Sequence, residues 1–251
     1  MTIATTLDAL ISLRLRGMHE ALQHQLTQAS YINLSFEQRL QMLVDGERSH
    51  RDSRRFSRLL RNAKLKQNAQ PEDVVYGSGR GFERAAFSEL LTCAWIYQNL
   101  NVLMTGATGT GKTWLACALA VEAARRGITI LYKRVGRMLE EMSYAHEDGS
   151  ILKMRSQLAK VQLLILDDFG LSALDARAKS DLLELLDDRV GSGATIVLGQ
   201  MPVREWHNFI NDPAVADAIL DRLIHSSVKI ELQGDSMRRM RRRPDQVTLD
   251  I

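Results

Sequence analysis

Residues 106–113 have the types and the spacing of a phosphate-binding loop, G-x-x-x-x-G-K-[ST]. The glycines allow backbone N–H groups to approach phosphate oxygens closely. In this pattern Lys112 reaches the β- and γ-phosphates, and the Thr113 hydroxyl is a ligand of Mg²⁺. The residues predicted to bind nucleotide are the loop and the residue after it: Gly106, Ala107, Thr108, Gly109, Thr110, Gly111, Lys112, Thr113 and Trp114.

Two adjacent carboxylates, Asp167 and Asp168, follow the apolar run 163–166. A continuous apolar run is typical of a strand that is buried on both faces of a parallel sheet. Downstream of a phosphate-binding loop, the pattern predicts that Asp167 holds Mg²⁺ and that Asp168 orients or deprotonates the attacking water. A lone Asp-Asp is otherwise a common transition from strand to loop, so the catalytic interpretation depends on the loop.

Strands and helices are predicted around both motifs in the order that the chemistry requires. The predicted strands are 101–105, 128–133, 163–168, 194–198 and 227–232, and the predicted helices between and after them are 114–126, 135–145, 151–160, 175–189 and 214–224. This alternation predicts an α/β fold with a doubly wound parallel sheet and a site at the carboxyl ends of its strands. Gln200 follows the fourth strand, where a polar side chain would lie near the phosphates.

The first seventy residues predict helices. Apolar spacing indicates one amphipathic helix over 5–28, and Ser35 with Gln38 forms a capping-box pattern before the next. Residues 47–66 contain eight basic and two acidic residues. A solvated charged face is the alternative, but such faces usually mix signs, so the run favours contact with nucleic-acid phosphates. The predicted DNA-binding residues are Arg48, Arg51, Arg54, Arg55, Arg58, Arg61 and Lys64.

Composition and charge bound the class of protein. The 251 residues can hold one larger and one smaller domain, and the net charge of +3 divides into an acidic middle between two basic ends. We predict a helical domain at 1–70, a linker at 71–81, a nucleotide-binding domain at 82–235 and a basic tail at 236–251. Without a signal pattern or a long apolar run, we expect a cytoplasmic protein without membrane contact. Cys93 and Cys117 lie in apolar patterns typical of buried thiols.

Five segments carry a resemblance to known proteins: GATGTGKT, LILDDFG, DAILDRL, GDSMR and RDSRRFSRLLRNAKL. Together they resemble the IstB family of insertion-sequence ATP-binding proteins, AAA+ ATPases related to the helicase loader DnaC and the initiator DnaA. The resemblance covers essentially the whole chain. It implies an AAA+ P-loop NTPase core, a five-stranded parallel sheet flanked by helices without a C-terminal lid, and a small all-α N-terminal domain.

The same resemblance implies cofactors, partners and further site residues. The cofactors are ATP and Mg²⁺. The partners are double-stranded DNA, a cognate transposase that receives target DNA, and further copies of the chain, with nucleotide sites between subunits. Gln200 matches a sensor position, Arg222 resembles an arginine finger that reaches a neighbour's nucleotide, and Arg238 resembles a second sensor. For Arg222, a local salt bridge with Asp221 or Asp217 is the alternative.

Departures from the AAA+ pattern leave two alternatives open. Most members have Glu where this chain has Asp168, and Asn or Thr where it has Gln200. Because the shorter carboxylate lies farther from the water, we expect hydrolysis that is slow or dependent on a partner. The chain ends soon after the fifth strand, so a neighbouring subunit or DNA is expected to complete the site. The alternatives are a helicase loader with the same core and a switch whose bound ATP organises an assembly without hydrolysis.

Overall fold

The computed structural model describes residues 2–77 and 79–237. The chain packs into two compact units, Met1–Arg58 and Leu59–Ile251, and the division between them falls inside the third helix. The first unit is all-α, and the second contains the sheet. Residues 238–251 lie outside the described residues. The predictions of a basic tail and of a missing lid fall on that segment.

The first unit contains three helices: α1 Ile3–Ser12, α2 Arg16–Thr27 and the beginning of α3 Phe36–Ala63. A short 3-10 turn, Ala29–Tyr31, follows α2. The single helix predicted over 5–28 is wrong, because Arg14 has a left-handed backbone conformation (φ 61°) that ends α1 before α2 begins. The predicted capping box is confirmed: Ser35 Oγ accepts the Gln38 N–H at 3.3 Å, and Gln38 Oε1 accepts the Ser35 N–H at 3.0 Å.

A buried carboxylate, Glu47, joins α2 to α3. Its Oε2 accepts the backbone N–H groups of Gly17 at 2.8 Å and Met18 at 3.2 Å, which satisfies the first turn of α2. Its Oε1 accepts Arg51 Nε at 2.7 Å. Burial raises the pKa of Glu47, but these hydrogen bonds outweigh burial, and the net effect lowers the pKa. A Cβ at Gly17 would overlap the Gly46 carbonyl oxygen, so glycine allows the close approach of the two helices.

The second unit contains a parallel sheet in the order β2-β3-β4-β1-β5. Its strands are β1 Asn101–Gly106, β2 Ile130–Arg134, β3 Leu163–Phe169, β4 Ala194–Gly199 and β5 Ser227–Leu232. Its helices are α4 Arg84–Leu91, α5 Ala94–Tyr97, α6 Lys112–Arg125, α7 Val135–Glu147, α8 Ile151–Lys160, α9 Ala176–Arg189, α10 Trp206–Ile210 and α11 Pro213–Ile224. The predicted α/β class with five parallel strands is confirmed. None of the helices that the structure describes is long and apolar enough to span a membrane.

The apolar run of β3 explains the centre of the sheet. Residues Leu163–Leu166 are at most 1% exposed, as a strand covered on both faces requires. Met138 of α7, Leu182 of α9 and the ring of Trp206 pack in the same core. Because β4 lies between β1 and β3, the ends of the loop strand and the carboxylate strand are separated by one strand. These strands are parallel, so both motifs lie where the strands end, one strand apart. We call this side of the sheet, formed by the carboxyl ends of the strands, the carboxyl edge, and the opposite side the amino edge.

Four features differ from the sequence predictions. The pattern of residues 82–97 predicts a single helix, but Cys93 has a left-handed conformation (φ 59°) and divides the segment into α4 and α5. Helix α10 was not predicted. The segment 71–81, predicted as a linker, belongs to the second unit, where Val74 is buried and the Tyr76 ring lies 6.3 Å from the ring of Phe87. Packing divides the units at Arg58, before the boundary predicted at residue 70.

Candidate nucleotide-binding site

The loop of residues 106–111 joins the end of β1 to the beginning of α6. Gly106 (φ 140°) and Gly109 (φ 91°) have positive φ angles, which glycine adopts without strain. A Cβ at Gly106 would overlap the Leu232 carbonyl oxygen at the end of β5, and a Cβ at Gly109 would overlap the Ser236 side chain. The pattern predicts glycines that admit phosphate. The structure adds that Gly106 also allows close approach of the end of β5, and that Gly109 allows close approach of the segment after it.

Lys112 is the first residue of α6, and its side chain folds back along the loop. Its Nζ donates to the carbonyl oxygens of Gly106 at 2.6 Å and Ala107 at 2.9 Å. Burial lowers the pKa of Lys112, and the charges of Asp167 and Asp168 oppose that change. The ammonium group is therefore held against two loop carbonyl groups, next to the first turn of α6. The N–H groups of a first helical turn attract anions.

The Asp167 carboxylate accepts three hydrogen bonds within the site. Its Oδ2 accepts the Thr113 hydroxyl at 2.9 Å and the Tyr132 hydroxyl at 2.6 Å, and its Oδ1 accepts the Asp168 N–H at 2.8 Å. The carboxylate, whose residue is 2% exposed, thus receives donors from α6, β2 and β3. Burial raises the pKa of Tyr132, and the hydrogen bond to Asp167 raises it further, so Tyr132 stays a neutral donor.

Asp168 lies where the pairing of β3 with β4 shifts register, between Leu166 and Phe169. Its backbone is left-handed (φ 63°), an uncommon conformation for a residue with a side chain. Its side chain is 32% exposed, whereas that of Asp167 is 3% exposed. The two carboxylates therefore have separate environments: one is enclosed by donors, and the other faces solvent beside it.

Gln200 lies directly after β4, at the same edge of the sheet. Its Oε1 accepts the Thr108 hydroxyl at 2.9 Å, so a side chain beyond the fourth strand is tied to the phosphate-binding loop. This is the place that the sequence pattern predicts for a polar sensor. The contact to Thr108 brings Gln200 together with the loop.

A cavity of about 330 Å³ opens beside the loop and includes Trp114 in its lining. Arg80 lies along one wall, where its guanidinium donates to the Val75 carbonyl at 2.6 Å and to the Thr110 carbonyl of the loop at 2.9 Å. Burial lowers the pKa of Arg80. The sequence interpretation placed Arg80 in a linker and missed this contact. Likewise, the Met237 N–H donates to the Gly109 carbonyl at 3.0 Å, although nothing in the pattern indicated that the chain returns to the loop.

The site suits a nucleotide with Mg²⁺. A phosphate group would meet glycine backbone, the first turn of α6 and the Lys112 ammonium. Within residues 2–77 and 79–237, no cluster of three or more His, Cys, Asp or Glu side chains could hold a metal ion by itself. Mg²⁺ typically binds one or two protein oxygens together with waters and phosphates, so the adjacent oxygens of Thr113 and Asp167 match the donor set that it prefers.

Arg222 lies at the opposite edge of the sheet, near the beginning of β1. Its carbonyl accepts Asn101 Nδ2 at 2.9 Å, and Asn101 is the first residue of that strand. Its Nε donates to Asp187 Oδ1 at 2.8 Å, so its ion pair is with α9 rather than with Asp217 or Asp221. The structure does not bring Arg222 to the phosphate-binding loop of its own chain.

The remaining predicted residues lie apart from the loop or cannot be placed. Arg238 falls outside the residues that the structure describes. The basic run lies on α3 and the turn after it, and all seven predicted DNA-binding side chains are exposed. On the other side of the helix, Leu59 and Ala63 are buried. The burial pattern matches one packed and one solvent-facing side, and contact with DNA stays a prediction.

The sequence of this chain is similar to a protein family and to individual proteins named for insertion sequences. Residues 8–245 match the family model of the IstB-like ATP binding protein. The protein y4pL of Sinorhizobium fredii, named for an insertion sequence ATP-binding function, is 44% identical over 95% of this chain and 97% of its own length. The ATP-binding protein named for insertion sequence IS1162 in Pseudomonas fluorescens is 48% identical over 78% of this chain and 86% of its own length.

Solved structures with the same fold include initiators and loaders of DNA replication. DnaA of Aquifex aeolicus bound to AMPPCP superposes with a TM-score of 0.57 at 21% identity, covering 68% of this chain and 52% of DnaA. The DnaC helicase loader superposes with a TM-score of 0.57 at 17% identity, covering 68% of this chain and 100% of that structure. These similarities show an AAA+ fold. The sequence matches show that the chain belongs to the IstB-like family of insertion-sequence ATP-binding proteins.

Proposed function

We propose that this protein is an ATP-dependent DNA-binding ATPase that assembles on double-stranded DNA and assists the transposase of an insertion sequence. The observation that carries the proposal is the arrangement around Asp167. Thr113 of the phosphate-binding loop, Tyr132 of β2 and the backbone of β3 all donate to one buried carboxylate. This arrangement supports a site that holds Mg²⁺ with nucleotide, and the insertion-sequence relatives supply the biological setting.

Within this proposal, each residue at the carboxyl edge of the sheet has a distinct role. The backbone of Gly106–Thr113 and the Lys112 ammonium bind the phosphates, and Trp114 borders the cavity beside them. Thr113 and Asp167 hold Mg²⁺, which supplies positive charge where the transferring phosphoryl group develops negative charge. Asp168 accepts a hydrogen bond or a proton from the attacking water. Gln200, tied to Thr108, orients a polar group toward the terminal phosphate.

The nucleotide sites are proposed to lie between subunits of a homo-oligomer. Arg222 supports this arrangement because it lies at the amino edge of the sheet, away from its own loop, in an ion pair that is 28% exposed on the arginine side. Such a pair is weak enough to exchange Asp187 for a neighbour's phosphate. Arg222 then acts as an arginine finger, and Arg238 acts as a second sensor. The assembly works in the cytoplasm, where DNA and ATP are both present.

DNA contact is proposed for the exposed basic run: Arg48, Arg51, Arg54, Arg55, Arg58, Arg61 and Lys64. Charge carries this step, since neutralised phosphates release counterions and make affinity depend on salt. Affinity falls as salt rises, so the slope of log affinity against log salt is negative; replacing both Arg54 and Arg58 by Ala should reduce its magnitude by about 2, since each lost contact removes about 0.9. A double variant Lys153→Ala with Lys160→Ala, on exposed positions of α8, should leave the slope unchanged.

The central experiment is Lys112→Ala, with Lys153→Ala as its matched control. Losing a charge-assisted phosphate contact should weaken ATP binding about 100-fold, remove ATP-dependent assembly and leave DNA affinity equal with and without ATP. Calorimetry, mass photometry and fluorescence anisotropy measure these three properties. Unchanged ATP binding, oligomer size and DNA affinity would contradict the proposal. Recovery of a replicative helicase but no transposase in pull-downs would favour a loader instead.

One observation favours a second candidate, a switch that binds ATP without hydrolysing it. Asp168 is shorter than the glutamate usual at this position, and its backbone is held in a left-handed conformation. Single-turnover assays of the assembled protein, with and without DNA, distinguish the two. Phosphate release in the assembly supports the ATPase, and its absence under all conditions supports the switch.

A further inference from the structure

A lysine outside both nucleotide motifs lies against the acidic pair of the site. Lys66 Nζ is 3.7 Å from Asp167 Oδ2 and 3.8 Å from Asp168 Oδ2, so one ammonium group bridges both carboxylates. The sequence pattern had counted Lys66 only as the last member of the basic run 47–66. Its side chain is 38% exposed, and it approaches the same Oδ2 atom that receives the hydroxyl groups of Thr113 and Tyr132.

The backbone around Lys66 is fixed to the nucleotide-binding helix. Helix α3 ends at Ala63, Lys64 has a left-handed conformation (φ 52°), and both Ala63 and Ala69 are fully buried. Burial raises the pKa of the Cys117 thiol in α6, and backbone hydrogen bonds from Gln67 and Lys66 oppose that rise. Because the backbone of the segment is anchored at these points, the Lys66 side chain begins at a defined position beside the carboxylates.

We propose that Lys66 is the resident cation of the acidic pair and competes with Mg²⁺ for Asp167, so that it sets the Mg²⁺ concentration at which nucleotide binds. This inference rests on the proposed function. Two adjacent carboxylates repel one another, and an ammonium group between them relieves that repulsion. The charge of Lys112 also acts on the two carboxylates, but its Nζ is hydrogen-bonded to the loop carbonyls of Gly106 and Ala107, whereas Lys66 pairs directly with both Asp167 and Asp168.

Competition follows from where the charges lie. Mg²⁺ held by Thr113 and Asp167 would carry two positive charges within a few ångströms of the Lys66 ammonium, in a partly buried site where like charges repel strongly. Mg²⁺ binding therefore requires Lys66 to withdraw into solvent, which its partial exposure allows. Lys66 stabilises the pair when Mg²⁺ is scarce, and it raises the Mg²⁺ requirement of the nucleotide site.

The test compares Lys66→Met and Lys66→Arg with the wild-type chain, and uses Lys153→Met on exposed α8 to control for net charge. Binding of a fluorescent ADP analogue is measured while Mg²⁺ is titrated. Lys66→Met should lower the half-saturating Mg²⁺ concentration about tenfold. Lys66→Arg and Lys153→Met should stay within about twofold of the wild-type value, because the first keeps the charge and the second lies elsewhere.

A second measurement covers the protein without nucleotide. Lys66→Met should lower the Tm in chelator, and added Mg²⁺ should restore more of the Tm than it does in the wild-type chain. An unchanged or higher Mg²⁺ midpoint for Lys66→Met would overturn the inference, and so would equal Tm values in chelator. If the wild-type chain binds no nucleotide at any Mg²⁺ concentration, the proposed function itself fails. If the wild-type chain binds nucleotide but Lys66→Met leaves the Mg²⁺ midpoint unchanged, only the inference about Lys66 fails.

Discussion

The two edges of the sheet satisfy their polar side chains in different ways. At the carboxyl edge, the buried carboxylate of Asp167 accepts the hydroxyl groups of two other side chains, Thr113 and Tyr132. At the amino edge, the buried guanidinium of Arg189 binds mainly backbone carbonyl groups. Arg189, which is 2% exposed, donates to the carbonyl groups of Leu158, Ala159, Val161 and Ala194 and to the Thr195 hydroxyl.

The amino edge therefore contributes to the stability of the fold, whereas the carboxyl edge is suited to binding a ligand. The Arg189 guanidinium holds α8 and β4 together through their carbonyl groups. These backbone partners are fixed, so a ligand cannot readily replace them. Burial lowers the pKa of Arg189 to about 10, so it remains charged at neutral pH. A side-chain pair at the carboxyl edge can instead exchange a partner for a ligand, as is proposed for Lys66 when Mg²⁺ binds Asp167. Arg222 is the exception at the amino edge, because its partner Asp187 is an exposed side chain.

The largest expected effect tests that exception. Arg222→Ala should leave nucleotide binding by monomers unchanged and slow turnover in the assembly on the order of 10³-fold, as expected for the loss of an arginine finger. Monomer affinity is measured by calorimetry and turnover by phosphate release at saturating protein and DNA. Asp187→Ala, which removes only the partner, should keep turnover within about threefold. Weaker nucleotide binding by the Arg222→Ala monomer would instead make Arg222 a residue of its own chain's site.

Arg189→Met should lower the free energy of unfolding by about 3 kcal/mol, because several buried carbonyl groups lose their donor while the volume is roughly kept. Urea denaturation followed by circular dichroism measures this loss. Arg125→Met is the matched control. Arg125 pairs with Glu72 and Glu122 on the surface, and exposed pairs contribute about 1 kcal/mol or less. Similar losses for both variants would contradict an architectural role for the amino edge.

Tyr132→Phe should raise the half-saturating Mg²⁺ concentration for nucleotide binding about tenfold, because Asp167 loses a donor that orients it. The direction is opposite to that expected for Lys66→Met, and the same fluorescent ADP titration measures both. Tyr144→Phe, on an exposed position of α7, should have no effect. A change in the same direction for Tyr132→Phe and Lys66→Met would show that the two donors do not act separately on Asp167.

The smallest expected effect is a loss of stability in the first unit, which contains neither edge of the sheet. Glu47→Gln should cost about 1 kcal/mol at neutral pH, because the carboxylate cap of α2 and its pair with Arg51 are lost. Since folding lowers the pKa of Glu47 below its ordinary value of 4.5, the stabilisation is complete above that pH and disappears as pH falls further. Hydrogen exchange of α2 from pH 7 to pH 3 measures the difference in stability between the wild-type chain and Glu47→Gln. A difference that stays constant over this range would contradict the prediction.

Patterns in the sequence predicted the sheet and its site well for physical reasons. Strand β3 must be apolar to be buried on both faces, and the phosphate-binding loop requires glycines at fixed spacing. Those constraints are local, so they can be read from neighbouring residues. Helix α8 and strand β5 begin and end at the residues predicted.

Contacts between distant segments could not be predicted in this way. Lys66 and Arg80 belong to segments without periodic pattern, and they reach the site because those segments pack beside α6 and the loop. Tyr132 faces Asp167 only because β2 pairs with β3 in a register that brings Arg134 opposite Asp167. The breaks at Arg14 and Cys93 were missed because both residues adopt left-handed conformations usually reserved for glycine or asparagine.

The central claim is that ATP at the Gly106–Thr113 loop controls assembly on DNA. Electron microscopy of the protein with double-stranded DNA, in ATP, in ADP and without nucleotide, tests it most directly. We predict ordered oligomers on DNA in ATP only, with Arg222 of one subunit beside the nucleotide of the next. Identical particles under all three conditions, or nucleotide sites that lie away from every subunit boundary, would contradict the account.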